Sequence, residues 1–397
     1  MAPSDRRPCA IIPRFHAEDR RGADVCATGP SSIGCVVAAT LWNGCFRVVT
    51  GVRRVRHDRA VAADGARDLF DPPPKHTGVI VASMEITDVQ PVPTTTTVHL
   101  GANQYGKAEV RLVRVTRDTD RHEIEDLTVT TQLRGAALAD SYTEGDNDKV
   151  VATDTQKNTV YAFAKEHGVG TPEDFLLRLG RHFNTAFDWY DGSTLSAEQH
   201  TWERIVVDGR EHDHSFVRAG RGTRTAVVQV DGDDVHVLAG VTDLTVLKST
   251  GSEFHGFPRD GYTTLAETDD RILATSVTAR WRYTPEAVAA GIDYDALYAG
   301  VLDRMLATFA DLHSLALQQT LFAMGRTAIE AFPEIAEVRF SMPNKHHFLV
   351  DLAPFGLDNP GEVFYAADRP YGLISGTVVR DGVAEAPAAW QSVPAFV

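Results

Sequence analysis

Beyond Cys45 this chain has no cysteine. All four, Cys9, Cys26, Cys35 and Cys45, lie near its N-terminus. The long remainder therefore has no disulfide framework and no cysteine-based metal site. Apolar runs are short, and none approaches the roughly 18 residues of a membrane-spanning helix. Positive charge is scarce: 39 Lys+Arg face 54 Asp+Glu, a formal net charge of -15. That balance argues against a general nucleic-acid binder. Three catalytic signatures are missing as well. No HExxH suggests a zinc protease, no GxGxxG opens a helix for a dinucleotide, and no GxSxG forms a hydrolase elbow. A signal peptide is not evident, because the apolar patch Val36–Leu41 is short and lies late.

What is present is enough to fold. The chain has 397 residues, 43% hydrophobic and 8% aromatic, sufficient for a real core and for two or three units of ordinary domain size. The charge is unevenly spread: residues 1–83 carry a net +4 and the rest -19. The N-terminal segment is Arg-rich and has no sustained period. We read it as a disordered or non-native extension, foreign to the folded body. Met84, in MEITDVQPVP, opens a plausible shorter start. Peptides from before Met84 in the native protein would remove the untranslated version of that reading.

After residue 100 one element order occurs twice. EVRLVRVTRDTDRHEIEDLTVTTQL reads as a hairpin, with Leu127, Val129, Thr131 and Leu133 alternating and a turn near Asp118–Asp120. Two helices follow. The first begins in VVATDTQKNTVYAFAKEHG, residues 150–168. The second begins at Thr171-Pro172-Glu173-Asp174, which offers an N-cap, a Pro at the first helical position and acid in the first turn. Leu176, Leu179, Phe183 and Phe187 then recur at helical spacing. ERIVV and HSFVRA are expected to complete this half as strands. The second half opens on a hairpin around Asp231-Gly232 and continues with RILATSVTARWRY. One helix then carries Val301, Met305 and Phe309, and another carries Leu321, Met324 and Ala328. VRFSMPNKHHFLVDL and GLISGTVVR close it. ββααββ given twice predicts an α+β fold of antiparallel sheets, each with a helix pair on one face. The expected boundaries are 100–232, 233–380 and a tail, 381–397. Open sheet edges need covering, and joining the sheets of several subunits would do so.

The candidate chemistry is dispersed. His212 and His214 stand at i, i+2 on one strand face, which could seed a metal site but more often marks a surface pair. GANQYGKA resembles a phosphate loop, yet Ala108 lacks the hydroxyl and a strand follows. Thr153-Asp154 sits where an apolar run hands over to a helix. A helix cap is the simple reading of that pair, and a ligand-facing junction is the other. Lys107 follows Tyr105-Gly106, Arg271 opens RILATSV after ETDD, and Phe254 lies in a loop rich in Gly, Ser and Thr. Asn344-Lys345-His346-His347 interrupts an apolar strand behind Pro343. Each of these has an ordinary structural explanation when taken alone.

Together they carry a resemblance. YGK at 105–107, VVATDTQKNTVYAFAKEHG at 150–168, LTVLKSTGSEFHGFPRDGYTTLAETDDRILAT at 244–275 and FSMPNKHHFLVDL at 340–352 resemble urate oxidases, the cofactor-independent uricases, over about residues 100–380. The resemblance implies a tandem T-fold assembled as a homotetramer around a tunnel. It implies oxidation of urate by O2 with neither metal nor organic cofactor. Lys107, Thr153 and His346 match the family's catalytic residues. Thr153, Asp154, Phe254, Arg271, Leu317, Gln318 and Asn344 match its substrate-binding positions, Leu317 where a smaller branched aliphatic is usual. The resemblance further implies that Lys and Thr reach each site from a neighbouring subunit. The rival readings are a purine-binding T-fold protein without turnover and a metal-dependent pterin or GTP enzyme of the same fold. The C-terminus lacks a Ser-Lys-Leu type address, and a cytoplasmic location is expected.

Overall fold

The computed structural model describes residues 98–393. Before them it describes only the backbone of a short antiparallel pair, Leu41–Trp42 with Cys45–Phe46. The reading of residues 1–83 as an extension otherwise lies outside the described residues. The described residues 98–393 belong to one compact unit.

That unit is built on an eight-stranded antiparallel sheet. Its first strands are β1 (Tyr105–Thr116) and β2 (Glu123–Arg134), paired as the expected hairpin. Leu127, Val129, Thr131 and Leu133 on β2 are fully buried, as their alternation requires. Helices α1 (Thr153–His167) and α2 (Pro172–Ala186) follow. Thr171 caps α2, its hydroxyl accepting from the Asp174 N–H at 3.1 Å, and Pro172 takes the first turn. Phe175, Leu176, Leu179 and Phe183 on α2 are fully buried. Next come β3 (Gly192–Gln199), β4 (Trp202–Val207), β5 (Arg210–Arg218) and β6 (Thr223–Asp231).

The second half runs through β7 (Asp234–Lys248), β8 (Leu273–Tyr283), α3 (Tyr294–Asp311), α4 (Leu317–Ala331) and β9 (Ile335–Asn344). A small hairpin, β10 (His347–Leu349) with β11 (Phe364–Ala366), precedes the last strand, β12 (Gly372–Val379). The sheet order is β12-β9-β8-β7-β6-β3-β2-β1. Strands β1 and β12 are its edges.

One expectation needs correction. ERIVV and HSFVRA do not complete the first half; they form β4 and β5, a separate two-stranded sheet. Their residues are mostly exposed, so they cannot fill a central position. The strand beside β3 is instead β6, whose residues Arg224 to Val230 are all buried. The hairpin at Asp231-Gly232 therefore joins the sheet's two halves at its centre, with β6 ending one and β7 beginning the other.

The helices cover one face. Residues 386–393 cross the other, where Ala389, Trp390 and Val393 pack on Val227 and Leu238. The Trp390 indole N–H donates to Glu337 Oε1 at 2.8 Å, and the Gln229 amide donates to the Gln391 carbonyl at 2.6 Å. Covering on both sides explains why the central strands read as nearly continuous apolar runs.

Arg224 of β6 ties the two halves together beneath the helices. It donates to Glu173 of α2 at 2.8 Å and also to Asp295 of α3. Burial outweighs the pull of Arg224 and pushes the Glu173 carboxyl up to about 7. A carboxyl raised above its unfolded value stabilises the fold fully below about pH 4.5, and that contribution is lost as pH rises through about 7. Thermal denaturation should therefore show the melting temperature falling between pH 5 and 8. Glu173→Gln should flatten that slope. An equal slope in both proteins would remove Glu173 as its source.

Candidate active site

Arg271 lies against Phe254 and within electrostatic reach of His346, two residues beyond Asn344, and its loop is bonded to the segment that leads into α4, where Gln318 stands. The loop after β7 is the organiser. Ser252 is fully buried; its carbonyl accepts from the Arg271 N–H at 2.8 Å, and its hydroxyl accepts from Arg271 Nε at 3.4 Å. The Glu253 N–H donates to the Ser314 carbonyl at 2.8 Å, and the Ser314 N–H donates to the Gly251 carbonyl at 2.9 Å. Ser314 leads directly into α4. Three chain segments are thereby laced together, and Arg271 is held against the start of the helix.

Arg271 does not pair with the neighbouring acids. Asp270 accepts from Thr250 Oγ1 and the Gly251 N–H, while Asp269 pairs with His255 at 2.9 Å. The guanidinium lies over the Phe254 ring, 5.0 Å from its centroid. Phe254 also stacks on Phe257, with centroids 5.0 Å apart and planes 13° from parallel. Partial burial lowers the Arg271 pKa from its ordinary value. Such a cation is partly desolvated, with an aromatic ring beside it. A planar anion suits that pairing.

The N-terminus of α4 adds main-chain donors. Its N-cap is Ala316, which has no side-chain capping bond, and the first intrahelical bond runs from the Thr320 N–H to the Ala316 carbonyl. The N–H groups of Leu317, Gln318 and Gln319 precede that bond. The Gln318 side chain is exposed. Leu317 is 2% exposed and packs into the core, so it backs the site and can offer a ligand only its N–H. Asn344 ends β9, opposite Thr275 of β8 and Gly372 of β12. His346 follows it. Burial first, then the charges of Arg271 and His347, hold the His346 imidazole below its ordinary pKa. It is a neutral proton acceptor near pH 7.

Lys107, Thr153 and Asp154 are elsewhere. Lys107 is on edge strand β1, opposite Thr131 and just before a register shift. Gly106 is required before it, since a Cβ there would lie 1.7 Å from the Thr131 carbonyl oxygen. Thr153 is the first residue of α1. The cap reading of Thr153-Asp154 is not realised: the N-cap is Ala152, and no side chain caps the helix. Asp154 instead pairs with Lys157 along the helix and accepts from Asn158 at 3.1 Å. Those bonds, and then the charge of Lys107, hold its carboxyl below the usual range. Lys107, Thr153 and Asp154 thus form a second cluster. Five strand spacings separate β1 from β8, roughly 24 Å at the usual 4.8 Å each. One chain does not unite Lys107 and Thr153 with His346.

His212 and His214 lie on β5, rings 4.5 Å apart, and the His214 N–H donates to His212 Nδ1 at 3.3 Å. Among the described residues no three His, Cys, Asp or Glu side chains are grouped to hold a metal ion.

Against this geometry, the sequence model of the family described as Uricase matches residues 103–229 and 237–375. The chain belongs to the uricase family. It is 60% identical over 303 residues to the uricase of Arthrobacter globiformis, spanning 76% of this chain and 97% of that one. The uricase of Dictyostelium discoideum is 38% identical over 280 residues, 70% of this chain and 96% of its own. The crystal structure of the Arthrobacter globiformis uricase superposes with a TM-score of 0.69 at 61% identity, covering 74% of this chain and 99% of that chain. A uricase from Bacillus fastidious superposes at 0.61 with 28% identity, covering 70% and 93%. The fold of this uricase is the tandem T-fold, ββααββ twice on one sheet. Some residues around the candidate site carry no sequence signal of their own. Ser252, Ser314 and Phe257 act through loop geometry, and Thr275 looks like any threonine in a strand.

Proposed function

We propose that this uricase oxidises urate with O2 and water to 5-hydroxyisourate and H2O2, at sites completed between subunits. The carrying observation is the split: the clamp residues lie beside β8 and β9, while Lys107 stands on the far edge strand of the same sheet and Thr153 opens α1. Edge strands β1 and β12 are open, and one copy's β1 can meet another's β12. Exposed apolar side chains support association. Phe348, Leu349, Phe355 and Tyr365 are 54%, 53%, 74% and 62% exposed in the single chain. A homotetramer enclosing a tunnel is the assembly we propose.

In such a site Arg271 grips the urate edge with two charge-assisted bonds, and the Gln318 amide supplies one donor and one acceptor in the ring plane. Phe254 stacks on the purine, backed by Phe257. The Leu317 and Asp154 N–H groups complete the rim. Lys107, acting through the Thr153 hydroxyl, takes a second proton from urate. The dianion then reduces O2 held beside Asn344 and Thr153. His346 exchanges protons with solvent. Electrons leave urate and arrive on O2 as peroxide, and water supplies the oxygen added to the ring.

Complementation tests the split. With urate held well below the raised KM of the Arg271 variant, Lys107→Met and Arg271→Gln should each show almost no activity in a urate absorbance assay. Refolded together, they should recover about a quarter of wild-type activity, because one site in four receives both intact halves. No recovery from a correctly assembled mixture would place all groups in one chain. The assay is run with a chelator and a peroxide readout: urate bound but unconsumed would favour a binding protein, and chelator sensitivity would favour a metal enzyme.

A further inference from the structure

Thr275 on β8 is fully buried, and its hydroxyl has no hydrogen-bond partner among the described residues. A buried hydroxyl left without a partner destabilises a fold, and valine would fill the same space without that cost. The register shows what the hydroxyl is near. Thr275 is directly opposite Asn344 on β9. The Lys345 N–H donates to the Ala274 carbonyl at 2.8 Å, which makes Ala274 and Lys345 a hydrogen-bonded pair. Thr275 and Asn344, one step along, are then the non-hydrogen-bonded pair, where side chains come closest and Cα atoms are about 4.5 Å apart. Both face the helices: Leu273 and Val277, two residues either side of Thr275, belong to the core together with Leu317 of α4, and so do Phe340 and Met342 before Asn344.

We propose that Thr275 is a positioning residue that acts through Asn344. Its hydroxyl donates to the Asn344 amide oxygen, and the amide N–H2 is thereby turned toward the reacting molecules. The inference rests on the reading of Asn344 as the group beside the oxygen position. A free primary amide can flip, presenting either its oxygen or its nitrogen. A hydroxyl fixed in a packed strand selects one orientation, at the cost of remaining partnerless while the amide is turned elsewhere.

Steady-state kinetics on the assembled enzyme test this. Thr275→Val should lower kcat about three- to ten-fold, the worth of one orienting hydrogen bond, with KM for urate unchanged. Thr275→Ser, which keeps the hydroxyl, should restore kcat to near the wild-type value. In an Asn344→Ala background Thr275→Val should have no further effect, since the amide it orients is gone. Thermal denaturation should show Thr275→Val at least as stable as the wild type. Unchanged kcat in Thr275→Val would overturn the proposal, as would a loss that persists undiminished beside Asn344→Ala. Should Thr275→Val not fold, Thr275→Ala supplies the hydroxyl-free comparison with Thr275→Ser. If Asn344→Ala alone leaves turnover intact, the reading of Asn344 itself fails, a result separate from any seen at Thr275.

Discussion

Thr153→Ala should lower kcat by about a hundred-fold or more while urate binding changes little, the usual scale for losing a positioned proton-transfer group. The structure makes this a clean substitution. Thr153 opens α1, but it is not the cap, so removing its hydroxyl takes no capping bond from the helix. Helix stability should stay near that of the wild type, and melting temperature would verify it. The kinetic loss should therefore appear in turnover and not in folding. Equilibrium binding of urate, measured beside steady-state kinetics, separates the two roles. If affinity and kcat fell in parallel, Thr153 would be gripping the ground state instead of relaying a proton.

Arg271→Ala should do the opposite, raising KM on the order of a hundred-fold with a smaller change in kcat, as expected for removing two charge-assisted hydrogen bonds. The guanidinium makes no ion pair with Asp269 or Asp270, which are engaged by His255 and by Thr250 with Gly251. Its deletion leaves no buried acid unpaired. Within the loop the substitution removes the 3.4 Å hydrogen bond to Ser252 Oγ, while the main-chain bond from the Arg271 N–H to the Ser252 carbonyl survives. An unchanged KM would end the clamp role.

Much of this was legible in the residues. The helices announced themselves through helical spacing and through the Thr171-Pro172 start. The β1–β2 hairpin was visible because one face of β2 is buried and the other is not. What misled was β4–β5: ERIVV alternates like any strand, and alternation alone does not say which sheet a strand joins. The pairing of β6 with β3 is decided by burial on both faces, a property of the assembled sheet. The site was legible only as motifs. Arg271, Asn344 and His346 are far apart in sequence and meet because β8 and β9 are neighbours. Ser252 and Ser314 were illegible, since their work is done by main-chain bonds between loops. The Thr153-Asp154 junction misled in its own way, because good capping residues stood one and two positions past the true N-cap, Ala152.

The strand order has a kinetic meaning. If sites are completed between copies as proposed, with Lys107 on edge strand β1 and the clamp beside β8 and β9, a solitary subunit holds two unfinished half-sites and no finished one. Specific activity should then obey mass action, fading on dilution as neighbours part and returning on concentration. Mutations along β1 or β12 that touch no purine could silence the enzyme as completely as loss of a reacting side chain.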